Sequence, residues 1–181
     1  ASRLPFKSAV LPENLWYIGE YAFYNCTEMR GTLVIPEGIT EINNYAFGSM
    51  YGITGVEFPS GVTRIGDWAF EWIHAQEIRI PDSVEYVGDY AFAWGTYKTL
   101  IIGRNVGYLG HQSCDTNNLT KVIFLGDVPR VAEYGSVFSS VNALAYYPED
   151  NWTWTESAKE ELAQQFKSVI WRGDQLFVEV T

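Results

Sequence analysis

From Leu33 to Ile102 the apolar positions return in a fixed phase. Leu33-Val34-Ile35-Pro36, Val56-Glu57-Phe58-Pro59 and Ile78-Arg79-Ile80-Pro81 each open a stretch that reaches Tyr45-Ala46-Phe47, Trp68-Ala69-Phe70 or Tyr90-Ala91-Phe92. The spacing is 22 to 24 residues, with apolar columns kept and polar ones free. A period of that size marks a solenoid, whose units cannot bury an apolar face alone and stack to share one core. Alternation such as Ile78-Arg79-Ile80 points two side chains inward and one outward, as in a short strand. Proline then denies the ladder its next N–H, and the strand stops. A second extended piece follows, with inward apolars three apart as in Val62 and Ile65. Gly19, Gly66, Gly88 and Gly110 come next, suited to positive φ or to close backbone approach. Ala-Phe then enters a turn or brief helical segment, where Ala admits a neighbouring backbone and Phe fills the core.

The frame extends in both directions. A first unit runs from Ala9 through Tyr21-Ala22-Phe23 to Met29, after a lead-in whose Leu4-Pro5-Phe6 is expected to cover the open end. Units five and six are degenerate. Gly103 replaces Pro and Ser113-Cys114 replaces Ala-Phe, although Leu100, Ile102, Val106 and Leu109 hold their columns. Val122, Phe124, Val128 and Val131 mark a sixth unit, and Leu144 and Tyr146, each 22 residues after Val122 and Phe124, are expected to close the core columns. Residues 1–147 therefore read as a solenoid of six units and 148–181 as a cap of the same domain. In the cap, Ser157-Ala158-Lys159-Glu160 has a capping-box pattern that predicts a helix over about 157–170, with Leu162, Phe166, Val169 and Ile170 near one face. A strand is predicted over about 175–180, where residues alternate after Gly173-Asp174.

These elements look similar to a known repeat. Ile35-Pro36-Glu37-Gly38-Ile39-Thr40-Glu41-Ile42 with Tyr45-Ala46-Phe47, and Ile80 to Gly88 with Tyr90-Ala91-Phe92, resemble BspA-type leucine-rich repeats over about residues 9–147. The resemblance implies a right-handed leucine-rich-repeat superhelix, mainly β with short helical turns, closed by a C-terminal helical cap. It further implies a bacterial or protist protein that is secreted or sits at the cell surface, in a class associated with adhesion to host proteins or other cells. It transfers no binding residue, because the shared positions are the buried ones.

Composition narrows the partners. Charged residues make up 19% and aromatics 16% of 181 residues, with a net charge of -10 and pI near 4.6, which suits one compact domain. Nucleic acid is not expected, since its phosphates are repelled and the twelve Lys and Arg are scattered singly. No run approaches the roughly 20 apolar residues of a transmembrane helix, and Ala1 to Lys7 lacks a signal peptide's apolar segment. Cys26 and Cys114 fall four units apart, about 19 Å at the spacing of neighbouring strands. That exceeds the roughly 7 Å reach of a disulfide, so both read as small apolar fillers.

The chain is sparse in chemistry. His74 and His111 are its only histidines and lie in different phases of the repeat, with no H-x-x-x-H or C-x-x-C spacing, so neither zinc nor another cofactor is expected. Acidic residues recur at Glu37 and Asp82 and at Asp67 and Asp89, where stacking brings carboxylates about 5 Å apart. A solvated edge is expected there in preference to calcium, because no unit carries the dense ligand run of a calcium loop.

Two surface features rise above this background. The outward column of the main sheet, Val34, Glu57, Arg79, Ile101, Ile123 and Ala145, places Ile101 beside Ile123 with Arg79, Lys98 and Lys121 at the rim. Such an apolar patch is either a partner-binding face or the bed of a terminal segment. The second feature is aromatic. Tyr21, Tyr45, Trp68 and Tyr90 form a ladder expected to be structural, whereas Trp72 and Trp94, four residues on, are expected to be exposed as a platform for a glycan or a protein. The predicted function is a non-enzymatic, extracellular recognition or adhesion module, monomeric, binding a protein or glycan through Arg79, Ile101, Lys121 and Ile123 or through Trp72 and Trp94. A structural spacer within a larger surface protein is the alternative. A carbohydrate-active enzyme fragment is a weaker one, requiring two carboxylates facing across a cleft at about 5 to 10 Å. Specificity is expected where the pattern breaks, at these residues and in the units after Gly103.

Overall fold

The computed structural model describes residues 9–173, which form a parallel β-solenoid of about six turns with one short helix near the C-terminal end. Each turn lays a strand on one face, a two-residue strand on a second and a tight turn on a third. The first face carries β1 (Gly31–Val34), β3 (Ile53–Glu57), β5 (Glu77–Ile80), β7 (Thr99–Ile102), β9 (Lys121–Phe124), β11 (Phe138–Tyr147) and β12 (Phe166–Gly173). The second carries β2 (Glu41–Ile42), β4 (Arg64–Ile65), β6 (Tyr86–Val87), β8 (Tyr108–Leu109) and β10 (Arg130–Val131). Columns predicted from the repeat align in register: Ile78 faces Leu100 and Leu100 faces Val122, while Ile65 faces Val87 and Val87 faces Leu109.

The third face is also hydrogen-bonded. Tyr45, Phe47 and Ser49 donate their backbone N–H groups to the carbonyls of Asp67, Ala69 and Glu71 at 2.9 to 3.0 Å, and Trp68, Phe70 and Trp72 repeat the pattern onto the next turn. Two residues of each such turn are left-handed. Tyr21, Tyr45, Trp68 and Tyr90 have φ of 56 to 58°, and Asn25, Ser49, Trp72 and Trp94, four residues on, have φ of 57 to 60°. The Ala-Phe segments are therefore turns and not helices. Inside them Phe23, Phe47, Phe70 and Phe92 stack at centroid spacings of 5.3 to 5.4 Å. Cys114, 22 residues after Phe92, is fully buried, and burial pushes its thiol pKa up to about 12. Both cysteines are free, as expected.

The glycine column resolves to close approach. A Cβ on Gly88 would lie 2.3 Å from Asp67 Oδ1, and one on Gly66 would lie 2.6 Å from Asn44 Oδ1. Those oxygens are engaged: Asn44 Oδ1 accepts from Asp67 N at 2.9 Å, Asp67 Oδ1 from Asp89 N at 3.0 Å and Asp89 Oδ1 from His111 N at 2.8 Å. Glu37 accepts from Ser60 N and Oγ, and Asp82 from Arg104 N. The acidic columns are thus more than a solvated edge, since their carboxylates clamp each turn to the next.

The C-terminal third departs from the predicted register. Ala145, not Leu144, faces Val122, and Tyr146 faces Ile123. Ala143 and Ala145 are buried while Leu144 and Tyr146 are half-exposed. The spacing to the previous strand has grown to 23 residues, so a 22-residue count places every side chain on the wrong face. The helix is also shorter than predicted. α1 spans Glu156–Ala163, and Thr155 is its N-cap, accepting from Ala158 N at 3.1 Å. Phe166, Val169 and Ile170 belong instead to β12, which pairs in parallel with β11. The open edge of β11 supplies backbone partners that a continued helix would leave unused, and Phe166 stacks on Phe138 at 4.2 Å. Trp154 closes the end, buried against Phe124 and donating its indole N–H to Gly126 O at 2.8 Å. The lead-in at Leu4-Pro5-Phe6 and the strand predicted over 175–180 lie outside the described residues.

Candidate functional site

The second left-handed column of the third face changes character along the stack. Asn25 and Ser49 are small polar residues that tolerate this backbone. Trp72 and Trp94 follow them at φ 60° and 59°, where a bulky side chain costs on the order of 1–3 kcal/mol. The first column also holds aromatics at positive φ, but these stack at 4.5, 5.7 and 4.1 Å from Tyr21 to Tyr90, and packing offsets the backbone cost. Trp72 and Trp94 remain 40% and 37% exposed.

Their rings nevertheless pack against neighbours. The two centroids are 5.4 Å apart with planes tilted by 40°, and Trp94 is backed by Trp68 at 5.5 Å and Tyr90 at 5.6 Å. Backbone bonds from Trp72 N to Ala93 O (2.9 Å) and from Trp94 N to Asp115 O (2.8 Å) hold the chain beneath. Neither indole N–H has a hydrogen-bond partner among the described residues.

Trp72 and Trp94 line a cleft of about 220 Å³ together with Gly95, Asp115, Thr116, Asn117, Asn118 and Ser140. The remaining side chains of the lining are polar and partly braced. Asp115 is buried, and its carboxylate accepts from Ser139 Oγ at 2.6 Å, Ser140 N at 2.6 Å and Ser140 Oγ at 3.2 Å. Thr116 Oγ1 donates to Gly95 O, and Asn118 Nδ2 donates to the same carbonyl at 3.3 Å. Asn117 is exposed, and its side-chain amide has no hydrogen-bond partner among the described residues. The cleft thus brings two adjacent tryptophans together with the unpaired amide of Asn117.

Trp72 and Trp94 are where the sequence places them, exposed and adjacent. The other four candidate residues lie on the first face, outside this cleft. There Ile101 is only 7% exposed, in register between Arg79 and Ile123 on its neighbouring strands, and Ile123 is half-buried. Ile101 and Ile123 therefore do not form the open apolar patch expected of them. The neighbour that follows Ile123 is Tyr146 and not Ala145, with Lys121 Nζ 5.1 Å from the Tyr146 ring centre. Arg79, Lys98 and Lys121 are exposed.

The histidines stand apart from this cleft. His74 is exposed against Tyr51, while His111 is half-buried between Tyr90 and Tyr134 with Nδ1 enclosed and unpartnered. Among the described residues no group of three or more His, Cys, Asp or Glu is placed to hold a metal ion. No helix among them is long and apolar enough to cross a membrane. Asp115 is the one carboxylate lining the cleft, and it is engaged by Ser139 and Ser140. Asp115, Thr116, Asn117, Asn118 and Ser140 do not stand out in the repeat pattern of the sequence. Their signal was the polar run 115–118 inside degenerate unit five, with Thr116 standing 22 residues after Trp94.

Comparison with known proteins bears on the fold and the family. The chain is similar to the crystal structure of the pneumococcal vaccine antigen PcpA over 93% of its own length and 42% of that protein's, at 18% identity and a TM-score of 0.68. It thus spans less than half of that relative, and at such identity the likeness is one of fold. A leucine-rich cell surface protein of Faecalibacterium prausnitzii A2-165 is matched over 86% of this chain and 63% of that one, at 16% identity and a TM-score of 0.39. No curated protein matches the sequence. Six copies of the BspA type leucine rich repeat region are matched over residues 2–32 and 17–144, so the chain belongs to the BspA-type leucine-rich repeat family.

Proposed function

We propose that this chain is a non-enzymatic recognition module of a bacterial surface or secreted protein, and that it contacts its ligand through the Trp72–Trp94 edge. One observation carries the reading: two exposed tryptophans occupy left-handed positions that the same column fills elsewhere with Asn25 and Ser49. The left-handed backbone belongs to the repeat, so what sets these two positions apart is the size and exposure of the side chain. They border a cleft whose other side chains are polar, with the Asp115 carboxylate held by Ser139 and Ser140. The sheet face around Ile101 is the weaker contact surface, because Ile101 is buried.

Immobilised protein screened against arrays of host matrix proteins and of glycans tests the reading. It predicts at least one ligand whose binding is lost in a Trp72→Asn/Trp94→Asn double variant and kept in an Arg79→Ala/Lys121→Ala variant. Blank arrays, or a ligand insensitive to the tryptophans and sensitive to Arg79 and Lys121, contradict it.

A further inference from the structure

We infer that the Trp72–Trp94 cleft takes a single ring of an uncharged pyranose sugar; this rests on the edge being a recognition surface and names what it recognises. The size of the cleft sets the first limit. At about 220 Å³ it falls below the roughly 300–1,000 Å³ of sites for drug-sized ligands, and accommodates one small ring. A protein partner would need about 800 Å² of contact on each side, whereas these groups converge on one concave spot.

The chemistry of the walls sets the second limit. An indole presents a negative face, which attracts the weakly positive C–H face of a pyranose. Trp94 lines the cleft while packing on Trp68 and Tyr90, and Trp72 stands tilted by 40° beside it. Sugar hydroxyls donate and accept at once, so they need partners of both kinds. Asn117, whose amide is unpaired, carries both kinds, and Trp72 and Trp94 are lining residues whose indole N–H groups have no partner among the described residues. Burial and bracing of Asp115 and Thr116 keep this wall from collapsing when empty.

Charge sets the third limit. No Lys, Arg or His lines the cleft, Asp115 is its one charged group, and the chain carries a net charge of -10. Carboxylated and sulfated sugars are repelled there. Asp115 already accepts three hydrogen bonds, which makes it a brace for the wall and not a cation ligand.

The test uses the chain itself, labelled so that the indole N–H of each of its seven tryptophans is followed by proton–nitrogen correlation NMR. Methyl β-glucoside, methyl β-galactoside and methyl β-glucuronide are titrated separately. At least one neutral glycoside is expected to shift the Trp72 and Trp94 indole signals, with the glucuronide at least about tenfold weaker. Trp94→Asn places in the column the residue type that Asn25 already uses there, so the fold is kept, and it is expected to weaken the neutral sugar by at least about tenfold. Asn117→Ala, which removes an unpartnered side chain, is expected to weaken binding about two- to tenfold. The inference is overturned by glucuronide binding as tight as the neutral sugars, by shifts confined to other tryptophans, or by no response to any of the three. If sugars fail but the double tryptophan variant still loses a ligand found on the protein arrays, the recognition edge stands and only the sugar assignment falls. If that variant loses nothing, both fall.

Discussion

Units two to four and unit five share one register yet use their polar residues differently. In the regular units polar groups face the next turn: Asn44, Asp67 and Asp89 each bind the backbone N–H that follows, and Glu37 binds Ser60. In unit five the run Asp115-Thr116-Asn117-Asn118 instead borders a cleft, and only part of its hydrogen-bonding capacity is used internally. The left-handed column changes in parallel, from Asn25 and Ser49 to Trp72 and Trp94 as it nears that run. A solenoid's regular part propagates itself, and its ligand is set where the repeat is relaxed.

Breaking the regular part has the largest expected effect. Phe70 is fully buried between Phe47 and Phe92, so Phe70→Ala is expected to destabilise the chain by about 3–5 kcal/mol, read as a lowered denaturant midpoint. Next comes the carboxylate ladder. Asp89→Ala leaves the His111 N–H without its acceptor and is expected to cost about 1–3 kcal/mol, whereas Asp89→Asn keeps that acceptor, as Asn44 does, and is expected to stay close to the parent. Equal losses in the two variants would show that charge, not the hydrogen bond, holds the turns together.

The smallest effect lies at Glu71, a buried carboxyl that accepts from Ser49 on the preceding turn. Burial raises its pKa above the ordinary carboxylate value, opposed in part by hydrogen bonds from Ser49 and Tyr24. A raised folded-state pKa means that the folded chain binds this proton more tightly than the unfolded one. The penalty is therefore absent below the unfolded pKa and fully present above the folded one. Glu71→Gln is expected to raise the melting temperature by a few degrees at neutral pH, with the gain vanishing on acidification toward the ordinary carboxylate pKa. A gain independent of pH would place the effect in packing instead.

Much of this comparison was legible from sequence because buried columns must be apolar at the repeat period. Leu33, Ile78 and Leu100 announce the core in that way, and Trp72 and Trp94 announce the edge by being large where the pattern asks for nothing apolar. What escaped has physical causes. The loop before Leu144 and Tyr146 adds a residue to the 22-residue period, and a one-residue slip exchanges the two faces of a strand. Over Phe166–Gly173 an alternating pattern competes with a helical one, and the partner that decides for a strand, β11, lies some 26 residues earlier. The turn conformation was hidden because Tyr and Trp at positive φ contradict local preference and persist only through stacking and cross-turn bonds. Asn117 and Ser140 join Trp94 only through the stacking of separate turns.

The claim that Trp72 and Trp94 serve recognition and not the fold has one direct measurement, the thermal melt of the Trp72→Asn/Trp94→Asn double variant beside the parent. The residue type of Asn25 suits the left-handed backbone at both positions, and both indoles are more than a third exposed. A melting temperature equal to or above the parent's is predicted, with ligand binding lost. A melting temperature lowered by many degrees would mean that the indoles are part of what holds the turns together, and would contradict the account.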